Sequence, residues 1–297
     1  MKMNSKAIVA AAAALAAGAA SATEGGGSIY PVGAENFTCC AVPPPGFYGL
    51  TYFESYSANK LRGDDGQVVT PPSFKADATA IVERLIWVTP VTVGSASLAL
   101  HTIIPVVDLD VKVVPGVGAH TTGVGDIVVG AALAWHHSAN LHTMVALDIY
   151  APTGSYDKTA VASIGRNYWA FQPVFGISYI DPAGPNADAK VMWTYNLEND
   201  ATHYKSGQEF IVDYSLGWGL GNGWTLGAGG YLYQQVNDDK LEGADVANNK
   251  GRSFAIGPAL KYDSGKGWFV TAKFQAETQV RNRLDGHAFW LKAVYPF

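Results

Sequence analysis

Charge is scarce in this chain. Lys, Arg, Asp and Glu make up 15% of its 297 residues, against roughly 25% in ordinary soluble domains. Cysteine is scarcer still. Cys39 and Cys40 are the only two and they are adjacent, which rules out a disulfide framework or a four-cysteine zinc site. Basic charge is not in excess: 20 Lys and Arg face 25 Asp and Glu, for a net charge of −5, so a general nucleic-acid binder is disfavoured. HExxH, CxxC and G-x-S-x-G are all missing, and with them the usual metal and nucleophile signatures. After residue 22 no apolar run approaches the roughly eighteen residues that a membrane-spanning helix needs.

What is abundant points elsewhere. Hydrophobic residues reach 48%, aromatics 12%, and Gly numbers 33. High apolar content with low charge excludes a disordered chain, and the Gly and aromatic richness suits many short strands. A soluble all-β protein and a membrane β-barrel are the classes left.

The first twenty-two residues indicate export. Lys2 and Lys6 form a basic region, Ala7 to Ala20 a short apolar run, and Ala20-Ser21-Ala22 a small-residue cleavage site. This is the layout of a secretory signal peptide, removed before Thr23. Residues 23–46 follow as a Gly- and Pro-rich segment, and residues 47–297 as the body of the fold.

From Phe47 onward apolar residues alternate with polar ones at period two, as a half-buried strand requires. In Glu209 to Trp218, the residues Phe210, Val212, Tyr214, Leu216 and Trp218 share one face, opposite Glu209, Asp213, Ser215 and Gly217. The same design recurs at 188–199, 268–278 and 286–297. Twelve strands are expected, near 47–57, 76–88, 96–108, 125–135, 141–150, 168–179, 188–199, 209–219, 224–234, 252–262, 268–278 and 286–297. Pro105, Pro173 and Pro258 sit awkwardly within three of them.

Connection lengths discriminate between the two classes. Segments 58–75, 109–124, 151–167 and 235–251 are long and polar, whereas those after strands two, four, eight and ten are short. Outer-membrane barrels have an even number of antiparallel strands, short periplasmic turns and long outer loops. A soluble sandwich has no reason to impose that alternation. The last strand ends on the aromatic Phe297, similar to the feature read by the outer-membrane barrel assembly machinery. Tyr48, Trp87, Trp135, Tyr150, Trp169, Tyr179, Trp218, Trp224, Tyr262 and Trp268 are placed to form interfacial girdles. The expected fold is therefore an all-β transmembrane antiparallel barrel of twelve strands in the bacterial outer membrane.

The inward set on the best-phased strands is Lys190, Asn196, Glu198, Glu209, Asp213, Lys273, Gln275 and Glu277. These mixed charges either pair across strands and fill a narrow lumen or line a polar pore. In the N-terminal segment, Tyr30, Glu35 and Phe37 are candidates for a plug, with Glu35 able to meet Lys190 or Lys273; a periplasmic linker is the other reading of this stretch. No catalytic, cofactor or metal site is expected. Cys39 and Cys40 could bond to each other, remain free, or bridge to another chain.

Several stretches carry a family resemblance: TEGGGSIYPVGAENF (23–37), PPPGFYGLTYFESY (43–56), GVGDI (123–127), APTGSYD (151–157), RNYWAFQP (166–173) and YNLEN (195–199). The chain resembles the outer-membrane proteins grouped with the meta-pathway of phenol degradation, although Cys39-Cys40 departs from the small residues expected there. The resemblance implies a channel for passive uptake of small hydrophobic or aromatic compounds. Its partners would be lipid and lipopolysaccharide, those solutes, and the assembly machinery through Phe297, with no nucleic acid. A surface or structural barrel protein without transport is the alternative; a barrel enzyme is less favoured.

Overall fold

The structure, a computed structural model, describes residues 23–297; the expected signal peptide lies outside the described residues. Among the described residues, seventeen strands follow one another. They are β1 (Gly46–Leu61), β2 (Lys75–Val93), β3 (Ala96–Val114), β4 (Val117–Val124), β5 (Ile127–His136) and β6 (Leu141–Ala151). Next come β7 (Ala170–Ile180), β8 (Pro185–Asn196), β9 (Glu198–Asn199), β10 (Tyr204–Lys205), β11 (Glu209–Gly219) and β12 (Trp224–Gln235). The last are β13 (Asp239–Leu241), β14 (Ala244–Val246), β15 (Arg252–Asp263), β16 (Phe269–Arg281) and β17 (Leu284–Pro296).

Twelve of these form a closed antiparallel ring, β1-β2-β3-β5-β6-β7-β8-β11-β12-β15-β16-β17, with β17 returning to β1 from Tyr48↔Pro296 to Leu61↔Leu284. Closure leaves no sheet edge, the condition for placing a β structure in lipid. One end carries tight turns, such as Gly94–Ser95, where Gly94 takes φ 61°. A two-residue hairpin turn needs that positive φ, and Gly adopts it without a Cβ penalty. The other end carries the long connections, including a four-stranded sheet in the order β14-β13-β10-β9.

Two expectations about the connections are corrected. Residues 109–124 are not a loop: β3 continues to Val114 and pairs with β4 from Val106↔Val124 to Val114↔Val117. Residues 235–251 are folded into β13 and β14 rather than irregular. The three prolines are accommodated by gaps in the ladder. Pro173 has no partner on β8 and Pro258 none on β16. Pro105 stands where β3 passes from β5, paired up to Ile103, to β4, paired from Val106. A residue lacking N–H costs little where no ladder bond is due.

The alternation sorts side chains as expected on β11. Leu216 and Trp218 are exposed on the outside, whereas Glu209, Asp213 and Ser215 are buried inside. Trp87, Trp169, Tyr179, Trp218, Trp224 and Trp268 are exposed aromatics on the outer surface. Tyr48 and Tyr150 do not join a girdle. Their even positions on β1 and β6 turn them inward, where Tyr150 donates to Gln172 (3.0 Å) and Tyr48 to the Pro44 carbonyl (2.8 Å).

Candidate functional site: a charged lumen threaded by residues 23–45

The interior is where the barrel departs from a simple sheet. Inward side chains from all round the wall meet residues 23–45, which run lengthwise inside it. At the long-loop end, Glu24 accepts hydrogen bonds from Asn199 (2.9 Å) and Thr202 (2.7 Å), and Arg166 donates to its carbonyl (3.2 Å). Near the tight-turn end, the Cys39 N–H donates to Asp188 (3.1 Å) and the Cys40 N–H to Ser178 (3.1 Å). Gly46 then opens β1. The segment is almost without regular structure, so its backbone groups need side-chain partners from the wall.

Two carboxylates anchor its middle. Asp213 on β11 accepts from the Tyr30 hydroxyl (2.6 Å), the Gly33 N–H (2.9 Å) and the Glu35 N–H (3.0 Å). Glu35 lies among cations from different walls: Lys292 on β17 at 3.0 Å, Arg84 on β2 at 3.3 Å and Lys190 on β8 at 3.9 Å. The Tyr52 hydroxyl donates to the same carboxylate at 3.2 Å. Lys273 donates to the Glu35 carbonyl (2.7 Å), and Lys261 to the Thr38 hydroxyl (2.8 Å). A buried charge is tolerated only when paired and hydrogen-bonded in this way.

The wall is shaped to admit the segment. A Cβ on Gly217 would stand 2.6 Å from the Phe37 ring, and one on Gly33 about 2.3 Å from the Gln275 amide. Gly33 also takes φ +81°, which an L side chain resists. Phe37 is 1% exposed, and Tyr30 lies beneath the Lys190 ammonium, 4.9 Å from its ring centre. Cation–π geometry and the Asp213 hydrogen bond hold that ring from two sides.

The structure brings most of the sequence-predicted residues to this interior. Lys190, Asp213, Lys273 and Gln275 face the segment directly, with Gln275 donating to the Val32 carbonyl (3.3 Å). Asn196 and Glu209 bond to each other at 2.9 Å, nearer the long-loop end. Glu277 accepts from Tyr56 (3.0 Å) and the Gly286 N–H (2.8 Å), and also from Tyr231. Tyr30, Glu35 and Phe37 are all buried. Glu198 is the exception: β8 ends at Asn196, and Glu198 lies exposed in β9, 3.3 Å from His203. Asp213 and Lys190 are cross-strand partners, yet the Asp213 oxygens serve the segment, not the facing lysine.

Residues outside the predicted inward set complete the site. Arg84, His101 and Asp148 form a buried chain, with Arg84 to His101 at 3.1 Å and His101 to Asp148 at 3.1 Å. Tyr52 and Lys292 belong to the Glu35 contact. A lone arginine within the apolar run of β2 was the available signal. Cys39 and Cys40 are bonded to each other. Among the described residues no group of His, Cys, Asp and Glu is arranged to hold a metal ion.

Outside the barrel, Asp239 on β13 gathers the loop sheet. It accepts from the Gly207 N–H (2.6 Å), Gln235 (2.7 Å) and Asn249 (2.6 Å). Burial pushes its carboxyl above the ordinary aspartate range, with these hydrogen bonds acting in the opposite direction.

Comparison with known proteins places this geometry. The fold is similar to the crystal structure of an outer membrane channel from Pseudomonas putida F1. The two superpose with a TM-score of 0.79 at 16% identity, over 89% of this chain and 99% of that one. The β-domain of the Bordetella autotransporter Brka is a more distant likeness, with a TM-score of 0.51 at 13% identity over 85% of this chain and 100% of that one. No curated protein matches the sequence. The family model described as "Putative MetA-pathway of phenol degradation" matches residues 58–293, most of the barrel, and the chain belongs to that family.

Proposed function

We propose that the protein is an outer-membrane channel for passive uptake of small hydrophobic or aromatic compounds. The observation that carries this reading is the contrast between a closed, apolar exterior and a polar lumen occupied by a segment that is not part of the wall. A barrel built only as a surface anchor would fill its interior with its own strands' side chains. Here the strands' inward side chains close around one continuous stretch, residues 23–45, attached to the wall by hydrogen bonds and ion pairs that can exchange.

In this reading the long-loop end faces outward and the tight turns face the periplasm, after export by the residue 1–22 signal peptide. Tyr30, Glu35 and Phe37 act as a plug, and Lys190, Asp213, Lys273 and Gln275 form the part of the pore wall that holds it. The Trp and Tyr residues on the outer face contact lipid and lipopolysaccharide, and Phe297 meets the assembly machinery. The channel performs no chemistry of its own. The family's connection with phenol degradation supports an aromatic solute, and the likeness to a known outer membrane channel supports the fold that carries it.

Initial uptake of radiolabelled phenol and toluene at limiting concentration tests this directly. Cells lacking the protein are expected to take up both more slowly than wild type, with recovery on re-expression and no dependence on an energised inner membrane. Equal initial rates in the two strains would overturn the transport role.

A further inference from the structure

Glu35 is held as a ligand would be. Its carboxylate is the only one contributed by the middle of the segment, and three cations from β2, β8 and β17 converge on it. Beside it lies a cavity of about 110 Å³ lined by Arg84, Lys292 and His101 together with the apolar surfaces of Leu50, Ile86 and Met144. Arg84 is 8% exposed, and its Nε–H has no hydrogen-bond acceptor among the described residues. Cations at one side, an apolar wall at the other and a spare guanidinium donor make a binding site for a flat apolar group bearing an anion.

We infer that this cavity binds aromatic carboxylates, whose anionic group competes with Glu35 for Lys292 and Arg84. The inference rests on the channel reading and narrows its solute class. An aromatic ring lies against Leu50, Ile86 and Met144, while its carboxylate takes the Arg84 Nε–H and shares the Lys292 ammonium. Sharing Lys292 weakens the hold on the segment, because Glu35 then keeps only Arg84 Nη1, the Tyr52 hydroxyl and the distant Lys190 at full strength. The solute thereby loosens the plug that blocks its own path. No bond is made or broken, and the segment returns when the solute leaves.

The test is calorimetric titration of the purified full-length protein with sodium benzoate and, separately, with benzyl alcohol, which has the same ring and no charge. Benzoate is expected to bind at least about tenfold more tightly, since a desolvated charge pair contributes that much or more. Lys292→Met should weaken benzoate by about tenfold and leave benzyl alcohol unchanged. Glu35→Gln should tighten benzoate and shift the reversal potential in a KCl gradient toward chloride. Lys292→Arg keeps the charge and should restore the benzoate preference, which separates a lost contact from a damaged fold. Equal affinity for the two compounds, or equal weakening of both by Lys292→Met, overturns the inference. Proteoliposome flux separates the two claims: passage of benzyl alcohol without benzoate preference removes this site and leaves the channel, whereas benzoate binding with no flux of either compound removes the channel and leaves the site.

Discussion

The two faces of β11 live under different rules. Phe210, Val212, Tyr214, Leu216 and Trp218 look outward, and any apolar side chain of similar size would serve lipid equally well. Glu209, Asp213 and Ser215 look inward, where Glu209 accepts from Asn196 (2.9 Å) and Ser215 donates to Asp188 (3.3 Å). Asp213 alone satisfies three donors of the segment. One face is specified by class of residue, the other by identity, although both follow the same period of two. Polar groups also pair on the outer face, as Ser57 on β1 does with Asp77 on β2 (2.7 Å). Glu83 on β2 accepts from Thr51 on β1 (2.6 Å) and from Tyr295 on β17 (3.2 Å). The Tyr295 ring crosses Gly49, where a Cβ would stand 2.6 Å from it. This polar clasp bridges the seam at which the first and last strands close the barrel.

The contrast can be broken in stages. Asp213→Ala should have the largest effect, because it strips the acceptor from three donors at once and leaves Lys273 and Lys190 undercompensated. Removing one side of a buried charge network costs about 3–5 kcal/mol. The cost should appear as release of residues 23–45 to protease while the heat-modifiable barrel band persists on gels. Val212→Arg, one position away on the outer face, should cost about 2–4 kcal/mol in the free energy of folding into bilayers. Val212→Leu should cost almost nothing by the same urea titration. Equal tolerance of arginine at Val212 and at the inward Ser215 would contradict the assignment of faces.

Tyr30→Phe removes one hydrogen bond to a charged acceptor and should cost about 1.5–3 kcal/mol, read as faster cleavage of the segment. Tyr295→Phe should cost about 0.5–1.5 kcal/mol in urea unfolding. Its effect should vanish in a Glu83→Gln background if the clasp is one unit, as a double-mutant cycle would report.

Much of the barrel could be read from the chain because period-two alternation survives wherever one face meets lipid. β8, β11, β16 and β17 show it clearly, and the inward positions of Lys190, Asp213, Lys273 and Gln275 followed from parity. Glu198 failed because parity holds only while the strand lasts, and β8 stops two residues before it. Tyr48 and Tyr150 failed for a related reason: aromatics were sorted by nearness to strand ends, whereas facing is set by register. Residues 109–124 looked like a loop because Pro115, Gly116, Gly118 and Gly123 punctuate the stretch, yet they lie in a hairpin that β3 and β4 extend beyond the ring. Arg84, His101 and Asp148 were hidden because their contact joins β2, β3 and β6, and pairing of inward side chains across separate strands leaves no local pattern. The segment was equally readable as a linker, since Gly and Pro describe a chain without regular structure and say nothing of where it lies. Its place depends on long-range contacts with residues as far away as Lys292.

Residues 23–45 occupy the path through the barrel. Single-channel recording in planar bilayers of the intact protein and of a variant lacking residues 24–42 tests this placement most directly, with the barrel fold of each verified by heat-modifiable mobility. Low conductance is expected for the intact protein and a marked rise in the variant, with loss of discrimination between small ions. Equal conductance of the two proteins would contradict it and show that the segment does not stand in the pore.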